Sequence, residues 1–110
     1  MATFDEFLHL DLRVGTVRSA QPLDGAIKPA YRMEIDFGPE IGTKRSSGQY
    51  TANYRPEDLV GRQVIAVVNF SPRRIAGFMS EVLVLAAPDP NGAHVLLVPE
   101  RQVPNGGRIS

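Results

Sequence analysis

Apolar and polar residues alternate along much of the chain, and this period of two predicts strands. The clearest case is YRMEIDF, residues 31–37, where every second residue from Tyr31 to Phe37 is apolar and the residues between them are charged. LDLRVGTVRSA, residues 10–20, alternates in the same way, and Gly15 within it suggests a bulge or a sharp coil. Two uninterrupted apolar runs, VIAVVNF and VLVLAA, predict buried strands.

The segments between these strands carry helix and turn signals. FDEFLHL predicts a short N-terminal helix that packs Phe4, Phe7 and Leu8 inward. RPEDLVG predicts one helical turn that starts at Pro56 and stops at Gly61. GPEIG predicts a turn that leads into a polar, serine-rich strand.

Five or six short strands with a helical turn in the middle indicate an all-β fold. We predict a five-stranded Greek-key barrel of the oligonucleotide/oligosaccharide-binding type (OB-fold), with a short helix between strands 3 and 4 and a short N-terminal helix. The length of 110 residues suits a single domain that spans residues 1–110.

Charge is unevenly distributed although the formal net charge is zero. Residues 41–80 hold six basic and two acidic side chains, so this middle block carries +4 and the flanking blocks together carry −4. Ten of the twelve basic residues are arginine, whose planar fork suits phosphates and carboxylates. The middle block is therefore the candidate binding region.

Composition narrows the class of protein further. The absence of cysteine excludes disulfides, thiolate metal sites and cysteine nucleophiles. No apolar run approaches the roughly 20 residues that span a bilayer, and Asp5 and Glu6 stand where a signal peptide carries basic residues. We therefore expect a cytoplasmic protein without membrane insertion.

Motifs of catalysis are missing from the chain. His9 and His94 are far apart in sequence and belong to no metal-ligand spacing, and no phosphate-binding glycine loop or nucleophile elbow is present. We therefore predict a protein that is not an enzyme, with no metal site and no cofactor.

NFSPRRIAGFMSE, residues 69–81, places two adjacent arginines between buried strands that do not need them. If residues 43–50 lie beside this stretch, the candidate binding residues are Lys44, Arg45, Ser47, Asn69, Arg73, Arg74, Phe78, Met79 and Ser80. Tyr50 and Phe70 also offer flat surfaces, although Phe70 ends an apolar strand and is expected in the core. Positive charge, hydroxyl and amide groups, and aromatic faces suit single-stranded nucleic acid, and the same mixture suits an extended polypeptide.

The same stretch resembles the signature of the tRNA-binding domain family, which reads roughly Asn-Leu-x-Pro-Arg-Lys-x-x-Gly-x-x-Ser. The matching residues are Asn69, Pro72, Arg73, Arg74, Gly77 and Ser80, and EIDFG and SG match two further family positions. The resemblance extends along essentially the whole chain and is nearest to free-standing bacterial members described as export-related chaperones. It implies an OB-fold barrel, a homodimer built partly with the chain ends, and unfolded or precursor polypeptides and the secretion ATPase as partners.

One departure from the family pattern bears on the ligand. Many members continue with Ser-x-Gly-Met, whereas here Val82 stands for glycine and Leu83 for methionine. Glycine permits a close backbone approach, and a net charge of zero gives little general attraction for phosphates. We therefore rank polypeptide first and tRNA, bound by the same basic face, as the alternative.

Overall fold

A computed structural model describes all 110 residues. The nine strands are β1 (Leu12–Pro22), β2 (Tyr31–Asp36), β3 (Thr43–Gly48), β4 (Gln63–Val67), β5 (Arg73–Ile75), β6 (Phe78–Ser80), β7 (Leu83–Val84), β8 (Ala86–Pro88) and β9 (His94–Leu96). The three helices are α1 (Phe4–Leu8), α2 (Gly38–Ile41) and α3 (Pro56–Leu59). None of these helices is long or apolar enough to cross a bilayer.

Five strands form one antiparallel sheet in the order β3-β2-β1-β4-β7, and β5-β6 and β8-β9 form two separate hairpins. The five-stranded sheet curls into a nearly closed barrel with α3 between β3 and β4, so the predicted fold class is confirmed. The predicted strand VLVLAA is divided between β7 and β8, which belong to different sheets.

Strand β1 is the longest element and pairs with more than one strand. Its first half pairs with β4 and its second half pairs with β2, and both registers include Thr16. The register shift between Val17 and Ser19 places the bulge near Arg18, three residues after the glycine where the sequence suggested it. Gly15 has another role: a Cβ there would lie 2.7 Å from side-chain atoms of Ile35. Glycine is therefore required for close packing.

The C-terminal segment completes the pairing of β1. The amide of Gly106 donates to the carbonyl oxygen of Val14 at 2.8 Å, and the amide of Ile109 donates to the carbonyl oxygen of Leu12 at 2.8 Å. The C-terminal tail therefore forms an isolated antiparallel bridge on β1, between Arg13 and Arg108.

The core lies between the barrel strands and under α3. Met33, Ile35 and Phe37 are fully or almost fully buried, as the alternation of YRMEIDF predicts. Leu59 of α3 is also fully buried, and Pro56 is the first residue of that helix, as expected.

Three local predictions were wrong. Helix α1 buries none of its residues, and Phe4 and Leu8 remain 70% and 45% exposed because no other element covers them. Phe70 is 46% exposed because β4 ends at Val67, which leaves the ring in the following loop. The expected turn at GPEIG is a short helix, α2, with proline in its first turn.

Candidate binding surface

The barrel closes where β3 meets residues 80–82. The amide of Glu81 donates to the carbonyl oxygen of Arg45 at 2.7 Å, and the amide of Arg45 donates to a carboxylate oxygen of Glu81 at 3.0 Å. The amide of Ser47 donates to Oγ of Ser80 at 3.0 Å. Residues 43–50 and 69–80 therefore lie side by side, as the sequence suggested, and Ser47 and Ser80 meet directly.

Arg73 and Arg74 lie next to each other on β5, with their side chains on opposite faces. Arg73 is opposite Ser80 and Arg74 is opposite Met79 on β6. Both arginines are exposed, and neither guanidinium takes part in an ion pair. These two positive charges are therefore free to meet a ligand, but they face different directions.

Lys44 and Arg45 do not form a second pair on one surface. Lys44 is opposite the buried Ile35 on β2, whereas Arg45 is opposite the exposed Glu34. Since neighbouring residues of a strand point to opposite faces, the two side chains diverge.

Arg45 is already engaged within the protein. Its Nε lies 3.6 Å from a carboxylate oxygen of Glu81, and its guanidinium carbon lies 5.4 Å from the centre of the Phe78 ring. Arg45 and Phe78 both border a polar recess of about 330 Å³ on the outer face of the barrel. This cation–π contact orients Arg45 and covers part of the Phe78 ring.

Asn69 holds two parts of the chain together. Its Nδ2 donates to the carbonyl oxygen of His9 at 2.8 Å, and its Oδ1 accepts from the amide of Asp11 at 2.9 Å. Both ends of the side-chain amide are therefore used to fix the segment that leads into β1. Sequence reasoning made Asn69 a ligand contact because nothing in the sequence placed it beside residues 9–11.

The largest concave surface is an apolar groove of about 850 Å³. Its walls come from the loop between β1 and β2, the end of β3, the tip of the β5-β6 hairpin, and β7 with β8. Its lining includes Ile27, Tyr50, Ile75, Leu83, Leu85 and His94. The sequence did not single out the contribution of residues 25–30 to a site, because a loop rich in glycine and proline carries no strand or helix period.

Tyr50 forms part of the groove wall and is almost completely buried, so its ring is not the open stacking surface that was expected. Burial raises the pKa of its phenol to about 12, because the phenolate would lose its hydration. The phenol therefore stays neutral at ordinary pH. The His94 ring meets it edge-on, with 5.9 Å between the ring centres.

A smaller pocket of about 180 Å³ adjoins the groove. It brings together three of the predicted residues, Ser47, Arg73 and Ser80, with the exposed ring of Phe70. Ser47, Ile75 and Leu83 border both cavities, so the two form one continuous surface. We call this surface the double groove. Lys44, Arg45, Asn69, Arg74, Phe78 and Met79 do not line it.

Val82 borders the smaller part of the double groove but is only 5% exposed. Its side chain is buried in the core cluster, and its carbonyl oxygen accepts from Oγ of Ser46 at 3.0 Å. Valine in place of the family glycine therefore adds a side chain to the core at the border of this pocket. Leu83, by contrast, is 49% exposed and adds apolar surface to the double groove.

These features define a small barrel module with one continuous groove beside the barrel, and a match to a known family identifies its class. Residues 12–108 match the family model described as "Putative tRNA binding domain". The chain belongs to this family of tRNA-binding domains.

The relatives are of two kinds. The chain is 47% identical over 104 residues to a methionine–tRNA ligase of Methanothrix thermoacetophila, and 38% identical over 106 residues to that of Bacteroides fragilis. These alignments cover 94% and 96% of this chain but only 15% of each ligase. The corresponding domain is therefore a separate module of those enzymes.

The structural neighbours include two chaperones of the same size. The chaperone CsaA of Bacillus anthracis is 56% identical with a TM-score of 0.93, and the alignment covers 100% of this chain and 99% of that one. The CsaA chaperone protein of Picrophilus torridus is 44% identical with a TM-score of 0.92 and complete coverage of both chains. The protein thus resembles CsaA chaperones along its whole length.

The bonds of Asn69 lead to a prediction about stability. Replacing Asn69 with alanine removes two hydrogen bonds, so we expect the free energy of unfolding to fall by about 1–3 kcal/mol. Urea denaturation followed by circular dichroism measures this change. Asn91→Ala is the matched control, because the Asn91 side chain lies exposed on a turn and makes no such bonds. Equal stability of the two variants would contradict the structural role of Asn69.

Proposed function

We propose that the protein is a polypeptide-binding chaperone of the CsaA type, which holds unfolded or precursor polypeptides without ATP. The observation that carries this proposal is the double groove, whose larger part is lined by 10 hydrophobic residues among 16. A concave, mostly apolar surface with a few polar groups suits the side chains of an unfolded chain. The likeness to CsaA chaperones supports the same function.

The borders of the double groove add charge to this apolar surface. Arg73 lines its smaller part, and Arg74 lies next to it on the other face of β5. Neither has an acidic partner within the protein, so a carboxylate of a bound polypeptide would meet a free guanidinium. The proposal includes a role in protein export and the secretion ATPase as a partner, which the family resemblance implies, and a cytoplasmic location, which is the expectation from the sequence.

Leu83 provides a test of the apolar surface. Leu83→Ser should reduce the ability of the purified protein to suppress aggregation of a chemically unfolded client by several-fold, because it removes apolar contact area from both parts of the groove. Light scattering without ATP measures the suppression. Val60→Ser is the control, since Val60 is 48% exposed, like Leu83, but lies outside the groove. The proposal fails if the unmodified protein does not suppress aggregation even in excess.

The alternative function is tRNA binding, which the family match and the two free arginines favour. If tRNA binds through its phosphates, the logarithm of the binding constant should fall linearly with the logarithm of the salt concentration. Arg73→Ala combined with Arg74→Ala should lower the magnitude of that slope by about 1.4–1.8, because each lost phosphate contact contributes roughly 0.7–0.9. A filter-binding series with tRNA at several salt concentrations measures the slope. An unchanged slope would remove these arginines from tRNA binding.

We also propose a homodimer that uses both ends of the chain. Phe4 and Leu8 on α1 are exposed, and so are Val95, Leu97 and Val98 on and after β9, at 39–47%. Apolar residues that a chain leaves uncovered near its termini are candidates for an interface with a second copy.

Substitution of α1 tests the dimer. Phe4→Asp combined with Leu8→Asp should shift the protein from dimer to monomer in sedimentation velocity at micromolar concentration, because each carboxylate would be desolvated in the interface. Val60→Asp, an exposed apolar site elsewhere, should leave the mass unchanged. A monomeric mass for the unmodified protein would exclude the dimer.

A further inference from the structure

Strand β5 has one paired edge and one free edge. It pairs only with β6, and these two strands form a sheet of their own. Outside that pairing, no backbone hydrogen bond joins residues 71–75 to another part of the chain. Strand β6 lies on the inner side, because Ser80 and Glu81 bond to β3. The free edge of β5 therefore faces away from the barrel wall and borders the double groove.

The turn of the hairpin determines which backbone groups this edge offers. Ala76 and Gly77 connect the strands with φ of +49° and +77°, which is typical of a two-residue type I′ turn. In such a hairpin Ile75 and Phe78 exchange hydrogen bonds, and the next pair, Arg74 and Met79, does not. The N–H and C=O of Arg74 therefore point outward from the free edge.

The side chains flanking the free edge differ between its two faces. Arg73 and Ile75 lie on the face that lines the double groove, and Arg74 lies on the opposite face with Met79. A strand added beside β5 would place alternate side chains in the apolar groove and the others beside the guanidinium of Arg74.

We propose that an extended segment of an unfolded polypeptide binds by adding a strand to the free edge of β5, through the N–H and C=O of Arg74. This inference rests on the proposed function and specifies its binding mode. Main-chain pairing is independent of side chains, so it gives affinity for many clients, while the groove and the arginines select segments that alternate apolar and acidic residues.

Charge favours this occupant over a second copy of the same edge. Two β5 edges brought together would place four arginines in proximity, and like charges on an edge are a device against self-pairing. Pro72 and the three-residue length of β5 limit the edge further. An acidic, extended client would instead be attracted to this edge, because its carboxylates meet guanidiniums that have no ion-pair partner in the protein.

A scan of backbone methylation tests the pairing. The probe is the fluorescein-labelled peptide Ser-Val-Asp-Leu-Ser-Val-Asp-Leu-Ser, with capped ends, and a series of its variants each N-methylated at one amide. Binding is measured by fluorescence anisotropy with the full-length protein. Where a bond to β5 is lost, the affinity should fall roughly threefold to tenfold, and the neighbouring amides should tolerate the methyl group, because the ladder uses alternate residues.

Two substitutions at one position test the protein side. Arg74→Ala removes the positive charge but keeps the backbone N–H of residue 74. Arg74→Pro removes the charge and the backbone N–H. Proline is tolerated at an edge position whose N–H is not used within the hairpin, and circular dichroism verifies the fold. We expect Arg74→Pro to bind the probe several-fold more weakly than Arg74→Ala does. If the proline variant misfolds, the methylation scan decides alone.

The outcomes separate the binding mode from the function. Loss confined to alternate amides supports strand addition. Equal binding by all methylated peptides, or uniform loss, overturns strand addition, and the proposed function stands if the unmodified probe binds and clients are protected. Failure of the probe to bind overturns strand addition for this class of segment, and failure to protect clients as well overturns the proposed function. Binding of a single-stranded oligonucleotide but not of the probe would assign the edge to nucleic acid.

Discussion

The close contact between β1 and β2 at Gly15 is the constraint on which the barrel depends. A side chain at this position would lie 2.7 Å from atoms of Ile35 and Phe37, the two residues that fill the centre of the core. With only hydrogen at Gly15, β1 can follow β2 with its second half and β4 with its first half. The same strand then receives the C-terminal tail through backbone hydrogen bonds at Leu12 and Val14.

The way the barrel closes explains why a groove exists beside it. Strand β3 is the last strand of the sheet, and it meets Ser80 and Glu81 through side-chain and main-chain bonds instead of a regular ladder. These bonds hold the β5-β6 hairpin by its inner strand only. The outer strand is consequently left with a free edge, and the space between it, the β1-β2 loop and Leu83 forms the double groove.

The sequence pattern correctly predicted the elements whose signals are local. The alternation in residues 31–37 identified the core of β2, and Pro56 identified the start of α3, since both signals arise from local geometry. The same reasoning failed for Phe70 and Tyr50, because a period shows which residues share a face but not where a strand stops or which face another segment covers. The structural bonds of Asn69 were missed for a related reason: its partners lie about 60 positions earlier, and only the tertiary structure places them within bonding distance.

The balance between polypeptide and nucleic acid depends on how many positive charges are free. Most arginines of this chain face carboxylates: Arg13 lies 2.6 Å from Asp11 and Arg45 lies 3.6 Å from Glu81. Since phosphate binding gains its strength from the release of counterions at many sites, two free arginines on β5 provide only a modest share of it. Lys28 adds one more positive charge at the larger part of the double groove, but the apolar residues that make up most of its lining favour aliphatic and aromatic side chains over phosphates. The proposed preference for an unfolded polypeptide therefore rests on the neutral charge balance and on Leu83, while the arginine signature of the family is kept.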